Sequence, residues 1–149
     1  QDAFERADID ARVMTAVPIE AFAEFYSRNK AVSHLNRGKV TIFGCGMGNP
    51  FFSTDTAAVL RGAEIGADVV LMAKNIDAIY TDDPRKNPDA KKLSEVDYDY
   101  ILKNHLSAID TCAASFAMDN HMKLHIFGLD DSENIYRVIM GEKIGTIVD

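Results

Sequence analysis

Residues Gly44-Cys45-Gly46-Met47-Gly48-Asn49-Pro50-Phe51-Phe52-Ser53-Thr54-Asp55 combine three glycines, two aromatics and a Ser-Thr-Asp triplet. They fall where a β-rich run, Gly38 to Gly44, ends and helix-spaced residues begin at Thr56, the place where open α/β sheets hold their ligands. Glycines allow close backbone approach, and Ser53, Thr54 and the amides after them offer donors at the positive end of a helix. The chemistry this suits is the binding of phosphate or another anion. The spacing lacks the third glycine of a dinucleotide fingerprint and the Gly-Lys-Ser/Thr ending of a Walker loop, and a tight turn with an ordinary Ser or Thr cap accounts for the same residues. Asp55 suits the helix dipole in the first turn; in a phosphate site its carboxylate would organise magnesium or orient a cationic group.

A second stretch, Lys74-Asn75-Ile76-Asp77-Ala78-Ile79-Tyr80-Thr81-Asp82-Asp83-Pro84, follows another apolar run. Tyr80 can lie against a nucleobase and Asp83 can accept from a sugar hydroxyl or an amino group, though both residues are also ordinary core and turn choices. Asp110 stands among small and apolar residues of a helical segment, so it is either exposed or matched by a cationic partner. The four histidines form no metal set: His121 and His125 straddle a helix-to-strand change instead of lying one turn apart, which leaves capping or solvent-facing roles. Ala21, Phe22, Phe25 and Tyr26 make a helix-spaced aromatic cluster that reads as core packing or a subunit contact.

The elements that must position these residues follow from periodicity. Gly38 to Gly44 and Ala67 to Met72 read as buried parallel strands. Between them lies a helix from Thr56 to Ile65 that ends at Gly66, and the three together predict one βαβ unit. Ser94 is the expected N-cap of an amphipathic helix through Tyr98, Ile101 and Leu102 to about His105, with Asp97 at the box position. Ala108 to Asn120 reads as another helix and Leu124 to Phe127 as a strand. Asp130-Asp131-Ser132 then cap a helix to Met140, before Gly141 and a last strand, Gly145 to Val148. The turn-rich segment Thr81 to Lys92 is a linker or a ligand-facing loop. The alternation predicts an α/β fold, a three-layer sandwich with helices on both faces of a mainly parallel sheet, and 149 residues fit one domain with no internal boundary. Gln1 to Ala7 reads as the tail of a helix, as in a piece of a longer protein.

The net charge is −7 and Lys and Arg are scattered, so there is no footprint for nucleic acid or anionic lipid. No apolar run reaches the roughly 20 residues that span a bilayer. Cys45 and Cys112 fit a reducing cytosol, as free thiols packing like small hydrophobes, with a disulfide between them the alternative.

Gly46 through Ala58, Arg61, Glu64-Ile65, Asp77 through Pro84, and Gly141-Glu142-Lys143-Ile144-Gly145-Thr146, in this order and spacing, resemble bacterial uridylate kinases of the amino acid kinase superfamily. The resemblance implies a cytoplasmic enzyme of pyrimidine nucleotide synthesis. Its reaction would transfer the γ-phosphoryl of ATP, with magnesium, to UMP, and the protein would be a homohexamer activated by GTP and inhibited by UTP. It implies that Met47, Gly48, Asn49, Pro50, Phe51, Phe52, Ser53 and Thr54 contact UMP. Lys74, Asn75, Tyr80 and Asp83 would contact ATP, Asp110 would organise the basic groups around the transferring phosphate, and Asp55 would lie near its path. No resident metal site is implied. Met47 stands where the family usually has Thr, and Ala78 replaces the usual Gly. Such enzymes begin with a strand carrying Lys and a Ser-Gly loop for ATP, then a second glycine-rich loop and an Asp for UMP. The sequence starts after these, which implies a C-terminal portion that is inactive, or nearly so, by itself. A superfamily kinase acting on glutamate, acetylglutamate or aspartate, or a non-catalytic anion-binding or sensing member, are the alternatives; the Phe-Phe-Ser-Thr-Asp helix entry argues for a nucleotide acceptor.

Overall fold

In the computed structural model, which describes residues 1–149, the chain divides into two compact units, 1–66 and 67–149. The first opens with a single helical turn, α1 (Asp2–Glu5), and is built on β1 (Ala11–Thr15), whose Ala11, Met14 and Thr15 are buried. β1 is the middle strand of a three-stranded parallel sheet, between β2 (Glu24–Phe25) and β3 (Val40–Gly44). Parallel neighbours need a crossover. α2 (Arg28–Leu35), which leads from β2 to β3, starts at Ser27, whose hydroxyl oxygen accepts the Lys30 amide at 3.4 Å. α3 (Thr54–Ile65) follows β3, capped by Ser53 and closed by Gly66 in the left-handed conformation, as the sequence pattern predicts.

The second unit carries a four-stranded sheet in the order β4-β8-β9-β7. β4 (Val70–Lys74) runs parallel to β8, and a small antiparallel ribbon, β5 (Ile79–Tyr80) with β6 (Lys92–Leu93), follows it. β7 (Glu95–Val96) precedes two helices, α4 (Tyr98–Lys103) and α5 (Thr111–Asp119). β8 (Leu124–Gly128), α6 (Glu133–Ile139) and β9 (Thr146–Val148) complete the unit. Its core is set by Leu124, Ile126 and Phe127 of β8, Val148 of β9, and Ile101 and Ala113 of the helices. The fold is α/β and its pairing mostly parallel, as the sequence implies; only β5–β6 and β8–β9 are antiparallel.

Several local expectations are corrected. β3 pairs with β1 within the first unit, and β4 with β8 within the second. Neither strand is uniformly buried, because Val40 and Leu71 keep more than a third of their surface. Residues 21–26 are not helical: Phe22 is 84% exposed, Phe25 lies on β2, and only Tyr26 packs, edge-on against Phe43. The cap of α4 is Asp97, not Ser94, because Glu95–Val96 is recruited as a strand and the helix must start after it. Both cysteines are free but exposed rather than packed. Residues 81–91 close the β5–β6 hairpin, so this stretch is a loop on a ribbon and not a linker.

Candidate functional site

Within the first unit, β1 and β3 end side by side, since Thr15 pairs with Gly44 and the Ala16 amide donates to the Gly44 carbonyl. The chain then turns through a run of left-handed residues: Cys45, Gly46, Gly48 and Phe51 all have φ between 57° and 75°. Gly48 is held because a Cβ there would lie 2.7 Å from the Ala16 carbonyl oxygen. Its amide closes a turn onto the Cys45 carbonyl at 3.0 Å. No L-residue with a side chain fits that approach without moving the β1 end. Ser53 Oγ accepts the Thr56 amide at 3.0 Å and so fixes where α3 begins.

Met47 to Thr54 thereby form a continuous, mostly exposed lip across the strand ends, with Met47 half-buried and Asn49 Nδ2 donating back to the Met47 carbonyl. Phe51 is wholly exposed and Phe52 half so. A bulky residue with positive φ costs about 1–2 kcal/mol, and exposing its ring recovers none of that through burial. Burial within this chain therefore does not offset the backbone cost at Phe51. Asp55 is half-buried in the first turn of α3, where its negative carboxylate is opposite in sign to the positive end of the helix dipole.

Behind this helix, Tyr26 Oη donates to Glu64 at 2.5 Å, Arg61 pairs with Glu64 and lies 3.8 Å over the Tyr26 ring, and Arg28 Nε donates to the Glu64 carbonyl. Burial and the Glu64 carboxylate push the Tyr26 phenol up to about 12. None of these four was singled out for such a role by sequence, because they meet only across the fold.

In the second unit, β4 delivers Lys74 at its C-terminal end, beside Gly128 at the end of β8. Lys74 Nζ donates to the Ala108 carbonyl at 2.6 Å, and its own carbonyl accepts the Leu129 amide. Asp110, two residues beyond that carbonyl, is not inside a helix as its neighbours suggested. It is the N-cap of α5, with Oδ1 accepting the Ala113 amide at 3.0 Å. Small residues after it, Ala113, Ala114 and Ala117, are buried. Lys74 and Asp110 thus come to the same short turn, 108–110, which sequence distance alone hides.

Asn75 is exposed just past β4, and Tyr80 stands half-buried on β5 with its hydroxyl donating to Asp77 at 3.1 Å. Lys92, across the ribbon, pairs with Asp77 at 3.0 Å. Burial works against the Asp77 carboxylate, but these two donors outweigh it and hold its pKa below the ordinary value. Asp83 shapes the loop: its carboxylate accepts the Arg85 amide and Nε, and the Arg85 amide chiefly lowers its pKa. Lys92 and Gly128, where a Cβ would meet Asp77 at 3.1 Å, are contributors that sequence reading missed.

No three His, Cys, Asp or Glu side chains gather around one point. A cavity of about 620 Å³ lies elsewhere in this unit, lined by Tyr98, Tyr100, Lys103, Met118, His121 and Lys123 among others, and includes none of Lys74, Asn75, Tyr80, Asp83 or Asp110.

Residues 2–128 match the amino acid kinase family. The structure is similar to that of a UMP kinase from Bacillus anthracis, at 35% identity and a TM-score of 0.91, covering 97% of this chain and 60% of that one. It is also similar to a UMP kinase from Ureaplasma parvum at 29% identity and a TM-score of 0.92, over 99% of this chain and 63% of that one. A uridylate kinase from Archaeoglobus fulgidus matches at 26% and 0.64, over 80% and 57%. The chain therefore spans about three fifths of the length of each.

Proposed function

Because the chain belongs to the amino acid kinase family, we propose that it is the part of a UMP kinase that holds the acceptor nucleotide on residues 47–54 and the ATP on residues 74–83. The observation that carries this reading is the lip after β3: left-handed backbone, two exposed phenylalanine rings and a Ser53-capped helix start, in a chain similar to two bacterial UMP kinases.

In this reading the α3 amides, with Ser53 and Thr54, take the UMP phosphate, and Phe51 and Phe52 flank the nucleoside. Met47 contributes a backbone carbonyl and no side-chain hydroxyl. On the ATP side Tyr80 lies against the base, Asp83 accepts from the sugar, and Lys74 and Asn75 stand at the strand end. A UMP phosphate oxygen attacks the γ-phosphorus in line; one P–O bond forms, the bond to the β-phosphate oxygen breaks, and ADP leaves without a covalent enzyme intermediate. Asp110 orders the positive groups around that path through the turn it shares with Lys74, and Asp55 tunes the helix end. Magnesium would enter with ATP as the MgATP substrate, where it would neutralise phosphate charge. The same reading carries a cytoplasmic homohexamer in pyrimidine nucleotide synthesis, with GTP as activator and UTP as inhibitor. No helix is long and apolar enough to cross a membrane.

The test is a coupled ADP-release assay on the chain, and on any longer product of its gene, with UMP, CMP and glutamate offered in turn. Turnover on UMP by the longer product, with little by residues 1–149, is expected; turnover on glutamate but not UMP overturns the reading. Tight nucleotide binding without turnover in every length would favour a sensing role.

A further inference from the structure

Thr146 is the one fully buried polar side chain in the second unit, and its hydroxyl makes two hydrogen bonds to backbone far away in sequence. It donates to the Leu93 carbonyl at 2.5 Å and accepts the Ile79 amide at 2.8 Å. Ile79 and Leu93 are the paired residues at the base of the β5–β6 ribbon, so one hydroxyl grips both of its arms. A hydroxyl has one proton to give, and here it is given once while a lone pair is filled once, which leaves the interior polar groups matched.

The residue before it is committed to the same end. Gly145 has φ 77°, and a Cβ there would sit 2.1 Å from the Ile126 carbonyl oxygen, so β9 lies hard against β8 at this point. β9 then continues into the sheet, with the Ile147 amide on the Ser94 carbonyl and Glu95 paired to Ile147. On its exposed side the ribbon is tied by the Lys92–Asp77 pair and by Tyr80 on Asp77. An exposed pair of this kind is weak and screened by salt, whereas the neutral buried grip is neither.

We propose that Thr146 is a positioning residue for the ATP side: it fixes the ribbon that carries Tyr80 and the Asp83 loop. This rests on the assignment of those residues to ATP. Replacement by Val keeps the shape and leaves the Ile79 amide and the Leu93 carbonyl without their partner; Ser restores both bonds.

The experiment compares the full chain with Thr146→Val and Thr146→Ser by residue-resolved amide hydrogen exchange and by NMR titration with MgATP and, separately, UMP. In Thr146→Val the Ile79 and Thr81 amides should exchange about tenfold faster or more, while the Ala57 and Val59 amides of α3 keep their rate. Binding of MgATP, read at Tyr80, should weaken about tenfold and UMP binding stay unchanged. Thr146→Ser should recover both, and 0.5 M salt should not mimic the Val variant. Unchanged exchange at Ile79 and Thr81 in Thr146→Val, or equal losses at α3, overturns the proposal. If wild-type Tyr80 gives no response to MgATP, the ATP assignment fails, and the exchange data still decide whether Thr146 holds the ribbon.

Discussion

The loop after β3 and the ribbon after β4 are held in shape by different means. Residues 45–53 are shaped by backbone: four left-handed residues, one glycine pressed on a carbonyl, and a single capping hydroxyl, with little side-chain pairing. Residues 74–93 are shaped by side chains: Lys74 on Ala108, Lys92 and Tyr80 on Asp77, Asp83 on Arg85, and Thr146 beneath. A loop fixed by backbone leaves most of its side chains exposed, at the cost of tolerating almost no substitution at its glycines. One fixed by side chains accepts change at most single positions and responds to pH and salt.

The hardest blow to this contrast falls on Gly48. Gly48→Ala combines a left-handed backbone with the collision at Ala16, so we expect a destabilisation of about 3 kcal/mol in urea unfolding and loss of UMP binding. Gly66→Ala, with the same handedness and open space around it, should lose only about 1 kcal/mol. Equal costs for the two would show that contact with Ala16 is not what shapes the lip.

Ser53→Ala removes the cap and should cost about 1 kcal/mol, with weaker phosphate binding by titration calorimetry; an unchanged melting temperature would place the start of α3 under other control.

Smaller effects come from titration. The Tyr26 phenol is raised to about 12 in the folded state, above its unfolded value near 10. Its contribution is therefore complete below about pH 10 and is lost as pH rises toward 12. Tyr26→Phe should flatten that alkaline decline in a pH series of unfolding midpoints. Asp77 is lowered, so its contribution is present above the unfolded value near 4 and fades as pH falls below it. Because its pair with Lys92 is half-exposed, Asp77→Asn should soften the acid limb only slightly, and less at high salt. An acid limb unmoved at low salt would remove Asp77 from the account of the ribbon.

Much of the frame was legible from local pattern. Gly66 after a helix-spaced run, Ser53 before it, and the apolar stretch from Leu124 each carry their own signal within a few residues. β1 and α2 went unseen because Ala11 to Thr15 mixes Arg and Met into a short strand, and Arg28 to Leu35 has no strong apolar stripe. The aromatic cluster at 21–26 misled because its spacing fits a helix, while burial places only Tyr26 inside.

What the sequence settled by itself was the α/β alternation, the lip at 45–53 and the entry into α3, since glycine φ freedom and hydroxyl capping act between residues already adjacent along the chain. Tertiary structure alone decided that β3 lies beside β1, that Asp110 begins α5 next to the reach of Lys74, and that Thr146 grips Ile79 and Leu93. Those are contacts across 34 to 67 residues, or choices among strands of similar composition, and they are fixed by which surfaces can be buried together rather than by any residue's own preference.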